Sequence, residues 1–207
     1  MKNVYNRFGK NREIYAIGIS YGANNIANIL GYEGDSSFIT AAVSFQPIID
    51  MNKWPEHMRK SGLGIYDFSI GAKINLSVCN KPNTEMMKDT VFLKTGLNSE
   101  IAPFPKTALG WMATIVAPLE DYKGTEEYCR AASIHQRIPL IKVPCLFICA
   151  LDDPIVGSET IDYRVFRENE NCVLTTTKYG GHIGYYESIT GDSQWFINPV
   201  FAYFDSF

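Results

Sequence analysis

Residues Gly18-Ile19-Ser20-Tyr21-Gly22 constrain this chain more than any other five. They join an apolar run, Ile14-Tyr15-Ala16-Ile17, to a stretch with helical periodicity that starts at Tyr21. A G-x-S-x-G turn between a strand and a helix lifts a serine hydroxyl above the end of a sheet. Such a turn is expected to leave no room for a Cβ on either flank, which accounts for a glycine two residues to each side. The chain is therefore expected to contain a parallel sheet with Ser20 at its rim.

The apolar pattern agrees. Residues 13–19 read as a strand apolar on both faces, the mark of a buried parallel strand. After Ser20, apolar Ala23, Ile26, Ala27 and Leu30 recur at helical spacing. Asn24, Asn25 and Asn28 take the polar positions, and Gly31 is placed to end the helix. Residues 38–46, closed by Pro47, are a second strand; 144–151 are a third, and 172–177, followed by Gly180-Gly181, a fourth. Short helices are expected at 2–9 and about 194–203. Strands alternating with helices define an α/β fold. The long segment 51–142 holds no strong strand pattern and reads as a helical insertion, part crossover and part cap, within a single domain spanning 1–207.

Composition excludes several classes of function. With 207 residues, 46% hydrophobic and 20% charged, the chain can bury a core and is neither fibrous nor disordered. A net charge of -3 argues against a nucleic-acid partner. No apolar run approaches the ~18 residues that would span a membrane. Cys79, Cys129, Cys145, Cys149 and Cys172 are odd in number and lack framework spacing, which fits a reducing compartment.

A serine hydroxyl at neutral pH needs a base, and the base needs an orienting carboxylate. Of the histidines His57, His135 and His182, only His182 follows the fourth strand, in Gly180-Gly181-His182-Ile183-Gly184. The carboxylate is offered by Asp152-Asp153 where the third strand ends, on the rim where ligands meet such sheets. Asp153 is preferred because it opens the turn Asp-Pro-Ile-Val; Asp152 is then expected to hold the loop. The order Ser20, Asp153, His182 is the one that accompanies this elbow. The backbone N–H of Tyr21 is the expected donor to an oxyanion; a second donor normally comes from a loop after an earlier strand, and the 19 residues before Ser20 contain none.

These segments resemble the AB-hydrolase-4 family of the α/β-hydrolase superfamily, which includes YheT-like bacterial esterases and the abhydrolase-domain-containing proteins 1 to 3 of eukaryotes. The resemblance rests on Gly18 to Asn24, Leu30 to Gly34, Glu127 to Ser133, Ile141 to Pro144, Ala150 to Val156 and Gly180-Gly181-His182. It implies catalytic roles for Ser20, Asp153 and His182. It also implies the C-terminal part of an α/β-hydrolase fold: the last four strands of an eight-stranded sheet with a helical cap insertion. The implied activity is hydrolysis of short- to medium-chain carboxylic esters, acylglycerols or phospholipid-like lipids, without cofactor or metal. The alternatives are an alcohol O-acyltransferase of the same fold and a catalytically inert, truncated relative that acts as a binding or scaffold protein. The implied partner is a small ester or lipid, compatible with contact at a membrane surface. The implied location is cytoplasmic or membrane-associated within the cell.

Overall fold

The computed structural model describes residues 5–9, 12–78, 94–96 and 104–207. Two compact units emerge: residues 1–54 with 132–207, and residues 55–131. The sequence-based bounds of the insertion, 51–142, are wider than the second unit. Cys79 and much of the segment around it lie outside the described residues.

The first unit carries a four-stranded sheet in the order β1-β2-β3-β4, with every pair parallel. The strands are β1 (Tyr15–Ile19), β2 (Ala41–Phe45), β3 (Cys145–Ala150) and β4 (Cys172–Thr177). Helix α1 (Tyr21–Glu33) joins β1 to β2.

Side-chain alternation divides the core between the two faces of the sheet. Ala42 of β2 and Cys145, Phe147 and Cys149 of β3 pack with Ala27 and Leu30 of α1 and with Ile134, Ile138 and Ile141. Val43 and Phe45 of β2 and Ile148 and Ala150 of β3 pack on the opposite face with Tyr185, Phe196 and Val200. Phe45, Phe147, Leu30 and Ile148 are fully buried. Burial of each such side chain contributes about 1.5–3 kcal/mol. Covered faces of this kind explain why β3 reads as an unbroken apolar run and β2 as one interrupted only by Ser44.

Three expectations need correction. β1 is not buried on both faces: Ile17 and Ile19 are exposed, because among the described residues β1 pairs only with β2. Its outer face instead borders an apolar groove formed with Phe196, Ile197, Phe201 and Phe204. Gly31 does not end α1, which runs on to Glu33 and is capped by Gly34 at φ 52°. A Cβ on Gly31 would stand 2.7 Å from the Arg137 carbonyl oxygen, so its glycine serves close packing. Asn24 is not on a solvated face but is 1% exposed. Its amide donates to the Ile48 carbonyl (2.6 Å) and accepts the Ile48 N–H (2.9 Å), holding the chain that leaves β2 against α1.

The second unit is helical in its described residues. It holds most of α2 (Trp54–Lys60), then α3 (Ile65–Val78), a helix α4 over 108–119 with a π turn at Met112–Val116, and α5 (Thr125–Ala132). Trp111 and Ile115 of α4 form its apolar centre, with Ile74 and Val78 of α3 against them. Buried Asp67 of α3 accepts the Leu109 N–H at 2.9 Å and so fixes the start of α4. The remaining helices belong to the first unit: α6 (Tyr163–Arg167), capped by the Asp162 carboxylate, and α7 (Ile197–Phe204). The expected helix at 2–9 is described only as a single turn, Tyr5–Gly9.

Candidate active site

Ser20 stands between β1 and α1 with φ 55° and ψ -124°, a backbone region that side chains rarely adopt. Two hydrogen bonds hold it there: its N–H donates to the Phe45 carbonyl of β2 (2.9 Å), and its carbonyl accepts the Ala23 N–H (2.9 Å). The glycine two residues earlier is dictated by space. A Cβ on Gly18 would lie 2.2 Å from the Gly22 carbonyl oxygen and 2.8 Å from the Ala23 Cα. The glycine two residues later is not, since a Cβ on Gly22 would meet no atom within 4 Å. The elbow is thus tight on its strand side only.

His182 follows β4, and Asp153 lies three residues beyond the end of β3. The structure brings all three side chains together at the C-terminal ends of the strands, within the first unit. Ser20 Oγ is 2.9 Å from His182 Nε2, and His182 Nδ1 is 2.8 Å from Asp153 Oδ2. The Asp153 carboxyl is 1% exposed and the His182 ring 13%. The other Asp153 oxygen accepts the N–H groups of Ile155 (2.8 Å) and Val156 (3.0 Å). Those two donors replace the water that burial removes and keep the carboxylate aimed at the imidazole. Burial, and then the nearby Asp153 charge, push the Cys149 thiol up to about 12.

Asp152 faces the other way and accepts the Gly181 N–H at 2.8 Å. The adjacent aspartates therefore do different things: one meets the ring of His182, the other its loop. His135 has Nδ1 3.9 Å from Asp50 Oδ1, and His57 belongs to α2; neither is joined to Ser20. Tyr21 opens α1 directly after Ser20, so its backbone N–H belongs to the first turn of a helix, where negative charge is favoured. Among the described residues no group of three or more His, Cys, Asp or Glu side chains is placed to hold a metal ion. No helix among them is long and apolar enough to cross a membrane.

Chemically, the arrangement gives a hydroxyl whose proton has an acceptor at Nε2. The opposite ring nitrogen carries its proton toward a fixed carboxylate, which sets the tautomer.

The parallel sheet, the elbow after β1 and the serine–imidazole–carboxylate chain at the strand ends have the arrangement of the α/β-hydrolase fold. Solved structures agree on the fold. A Pyrococcus furiosus esterase matches 99% of this chain and 58% of its own at TM-score 0.52 and 16% identity. A Paleococcus ferrophilus monoacylglycerol lipase matches 98% of this chain and 71% of its own, also at 0.52, with 13% identity. No family model matches the chain. Its homologues include a monoacylglycerol lipase of Saccharomyces cerevisiae, 27% identical over 92% of this chain and 42% of that protein. The medium-chain fatty acid ethyl ester synthase/esterase 2 of the same yeast is 26% identical over 95% of this chain and 46% of that protein. The phospholipase ABHD3 of Mus musculus is 25% identical over 91% and 44%. The chain thus spans less than half the length of these curated relatives.

Ser20, Asp153 and His182, which the sequence singled out, meet in the structure, and Asp152 holds the His182 loop. Sequence reasoning missed Asn24 and Gln46, whose partners lie on distant backbone. A polar side chain within or closing an apolar run was the only signal available for either.

Proposed function

We propose that this protein is a serine hydrolase of carboxylic esters, acting on short- to medium-chain acyl esters or on acylglycerol- or phospholipid-like lipids. One observation carries the reading: the chain of two short hydrogen bonds from Ser20 Oγ through His182 to a buried Asp153 carboxylate. The names of the lipase, esterase and phospholipase relatives support the substrate class.

Ser20 Oγ attacks the ester carbonyl carbon as His182 Nε2 takes its proton. The carbonyl oxygen becomes an oxyanion, toward which the Tyr21 N–H donates. Collapse expels the alcohol, which leaves with the proton from His182 Nε2, and Ser20 is acylated. Water then attacks the acyl group by the same route and releases the acid. Asp153 accepts from Nδ1 throughout and holds the ring in one tautomer. No step calls for a cofactor. We read its location as cytoplasmic or membrane-associated within the cell, a reading that the buried thiols of Cys145, Cys149 and Cys172 support.

Acyl transfer to an alcohol is the second reading, favoured by the relative named an ester synthase as well as an esterase. The alcohol would replace water in the second half of the cycle.

A fluorophosphonate probe tests the reading. Wild-type protein should be labelled and should hydrolyse a medium-chain nitrophenyl ester, and Ser20→Ala should abolish both. Labelling at another serine, or none in folded wild-type protein, would overturn it. Product analysis with added ethanol separates hydrolysis from transfer.

A further inference from the structure

The loop that carries His182 is strained on both sides of the ring. Gly181, Ile183 and Tyr185 have φ of 58°, 68° and 51°. Glycine tolerates such values, whereas a β-branched isoleucine rarely adopts them. Backbone of this kind persists where its surroundings over-determine it. Here three side chains do so. Asp152 accepts the Gly181 N–H, Gln194 Nε2 donates to the Ile183 (2.8 Å) and Gly184 (2.9 Å) carbonyls, and Gln46 Nε2 donates to the Gly181 carbonyl at 2.7 Å.

Gln46 differs from the other two. It is 0% exposed, follows directly on β2, and itself has φ 55°. Both ends of its amide are used: Oε1 accepts the Ala150 N–H at 2.9 Å, and Nε2 donates to the carbonyl of the peptide that joins Gly181 to His182. The partners fix which atom is which, because an N–H needs an acceptor and a carbonyl a donor. One side chain therefore ties the end of β2 to the end of β3 and to the backbone of the imidazole. A hydrocarbon of similar volume could fill the same space. It would supply neither the acceptor nor the donor that the amide provides together.

We propose that Gln46 is a positioning residue, which sets the distance from His182 Nε2 to Ser20 Oγ by holding the Gly181–His182 peptide. The proposal rests on the reading of Ser20 and His182 as nucleophile and base.

Three proteins test it: wild type, Gln46→Met and Gln46→Glu, all as the full 207-residue chain. Two readouts apply, the fluorophosphonate labelling rate and the low-field proton NMR resonance of His182 Nδ1–H on Asp153. Gln46→Met fills the volume without the bonds. It should label about 100-fold more slowly, the scale of a displacement near 1 Å, and its resonance should broaden through exchange with water. A protonated glutamic acid can accept from Ala150 and donate its O–H to Gly181, whereas the carboxylate cannot donate. The labelling rate of Gln46→Glu relative to wild type should therefore be near one at low pH. It should fall as pH rises through the pKa of the new group, which burial raises. Asp152, Asp153 and His182 are common to both proteins, so the ratio isolates position 46.

A Gln46→Met protein with wild-type rate and resonance, lowered only in thermal stability, would overturn the proposal. Should Gln46→Met fail to fold, Gln46→Glu decides: a pH-independent ratio overturns it and a titrating one supports it. A wild-type resonance without labelling would instead defeat the hydrolase reading, and the resonance would still report on Gln46.

Discussion

The asymmetry of the elbow gives the sharpest test of the packing argument. Alanine at position 18 would put a methyl group 2.2 Å from the Gly22 carbonyl oxygen, 2.6 Å from the Gly22 carbonyl carbon and 2.8 Å from the Ala23 Cα. Close carbon–oxygen contacts settle near 3.3–3.6 Å, so β1 and the first turn of α1 must separate by roughly 1 Å. All three obstructing atoms are backbone, and none can turn aside as a side chain would. Overpacking costs about 1–3 kcal/mol, and Gly18→Ala belongs at the upper end of that range. Alanine at position 22 meets nothing within 4 Å, and Gly22 is not among the glycines with positive φ. Gly22→Ala should stabilise by about 0.5–1 kcal/mol, through the smaller entropy of its unfolded chain. The two variants should thus differ by about 3–4 kcal/mol in urea unfolding. Gly18→Ala should also lose roughly 100-fold in fluorophosphonate labelling, because the shift displaces Ser20. Unfolding midpoints that place the two variants within 1 kcal/mol of each other would refute the reasoning.

Other expectations follow from the same geometry. Asp153→Asn keeps the shape but favours the wrong tautomer, and should cost about 10⁴ in turnover. Asp152→Asn keeps an acceptor for the Gly181 N–H and should cost far less; the reverse ranking in ester hydrolysis would exchange their roles. Cys145, Cys149 and Cys172 are buried, and their thiols are pushed up by desolvation, the last two to about 12. They should resist iodoacetamide at pH 8 until the protein unfolds. Their folded pKa values lie above the unfolded ones, so the stability they contribute is complete below about pH 8.5. It should decline as pH rises toward 12, which urea midpoints between pH 8 and 11 would show. Finally, the outer edge of β1 with exposed Ile17 and Ile19 should make the 207-residue chain self-associate. Ile17→Lys should shift sedimentation toward the monomer, and an unchanged profile would locate the association elsewhere.

Much of the site could be read from the sequence because its parts announce themselves locally. The strand at Cys172–Thr177 has the bounds expected of it from the sequence. Ser20 lies in a pentapeptide with a geometric meaning, and His182 and the Asp152-Asp153 pair each follow a strand. What stayed hidden depends on partners remote in sequence. Asn24 looked like one of three solvated asparagines, and only the Ile48 backbone, 24 residues on, makes it a buried clamp. Gly31 looked like a helix stop because nothing near it in the chain reveals the Arg137 backbone against it. The exposure of Ile17 could not be read either, since an apolar run does not say whether a neighbouring strand covers it.

The hydrogen bond between Ser20 and His182 joins residues 162 positions apart. It should therefore form late in refolding. Loop-closure entropy grows with the logarithm of the intervening length, and parallel strands with distant partners, here β2 and β3 with Ala42 opposite Cys145, pair slowly. Among the described residues β4 is the last strand in both sequence and sheet order, and His182, which follows it, should reach the elbow only once that strand has docked on β3. Helix and strand signals should therefore recover in refolding before the serine turns nucleophilic. With Ser20 as the proposed nucleophile, a pulse of fluorophosphonate during refolding becomes a clock for the closing of the sheet.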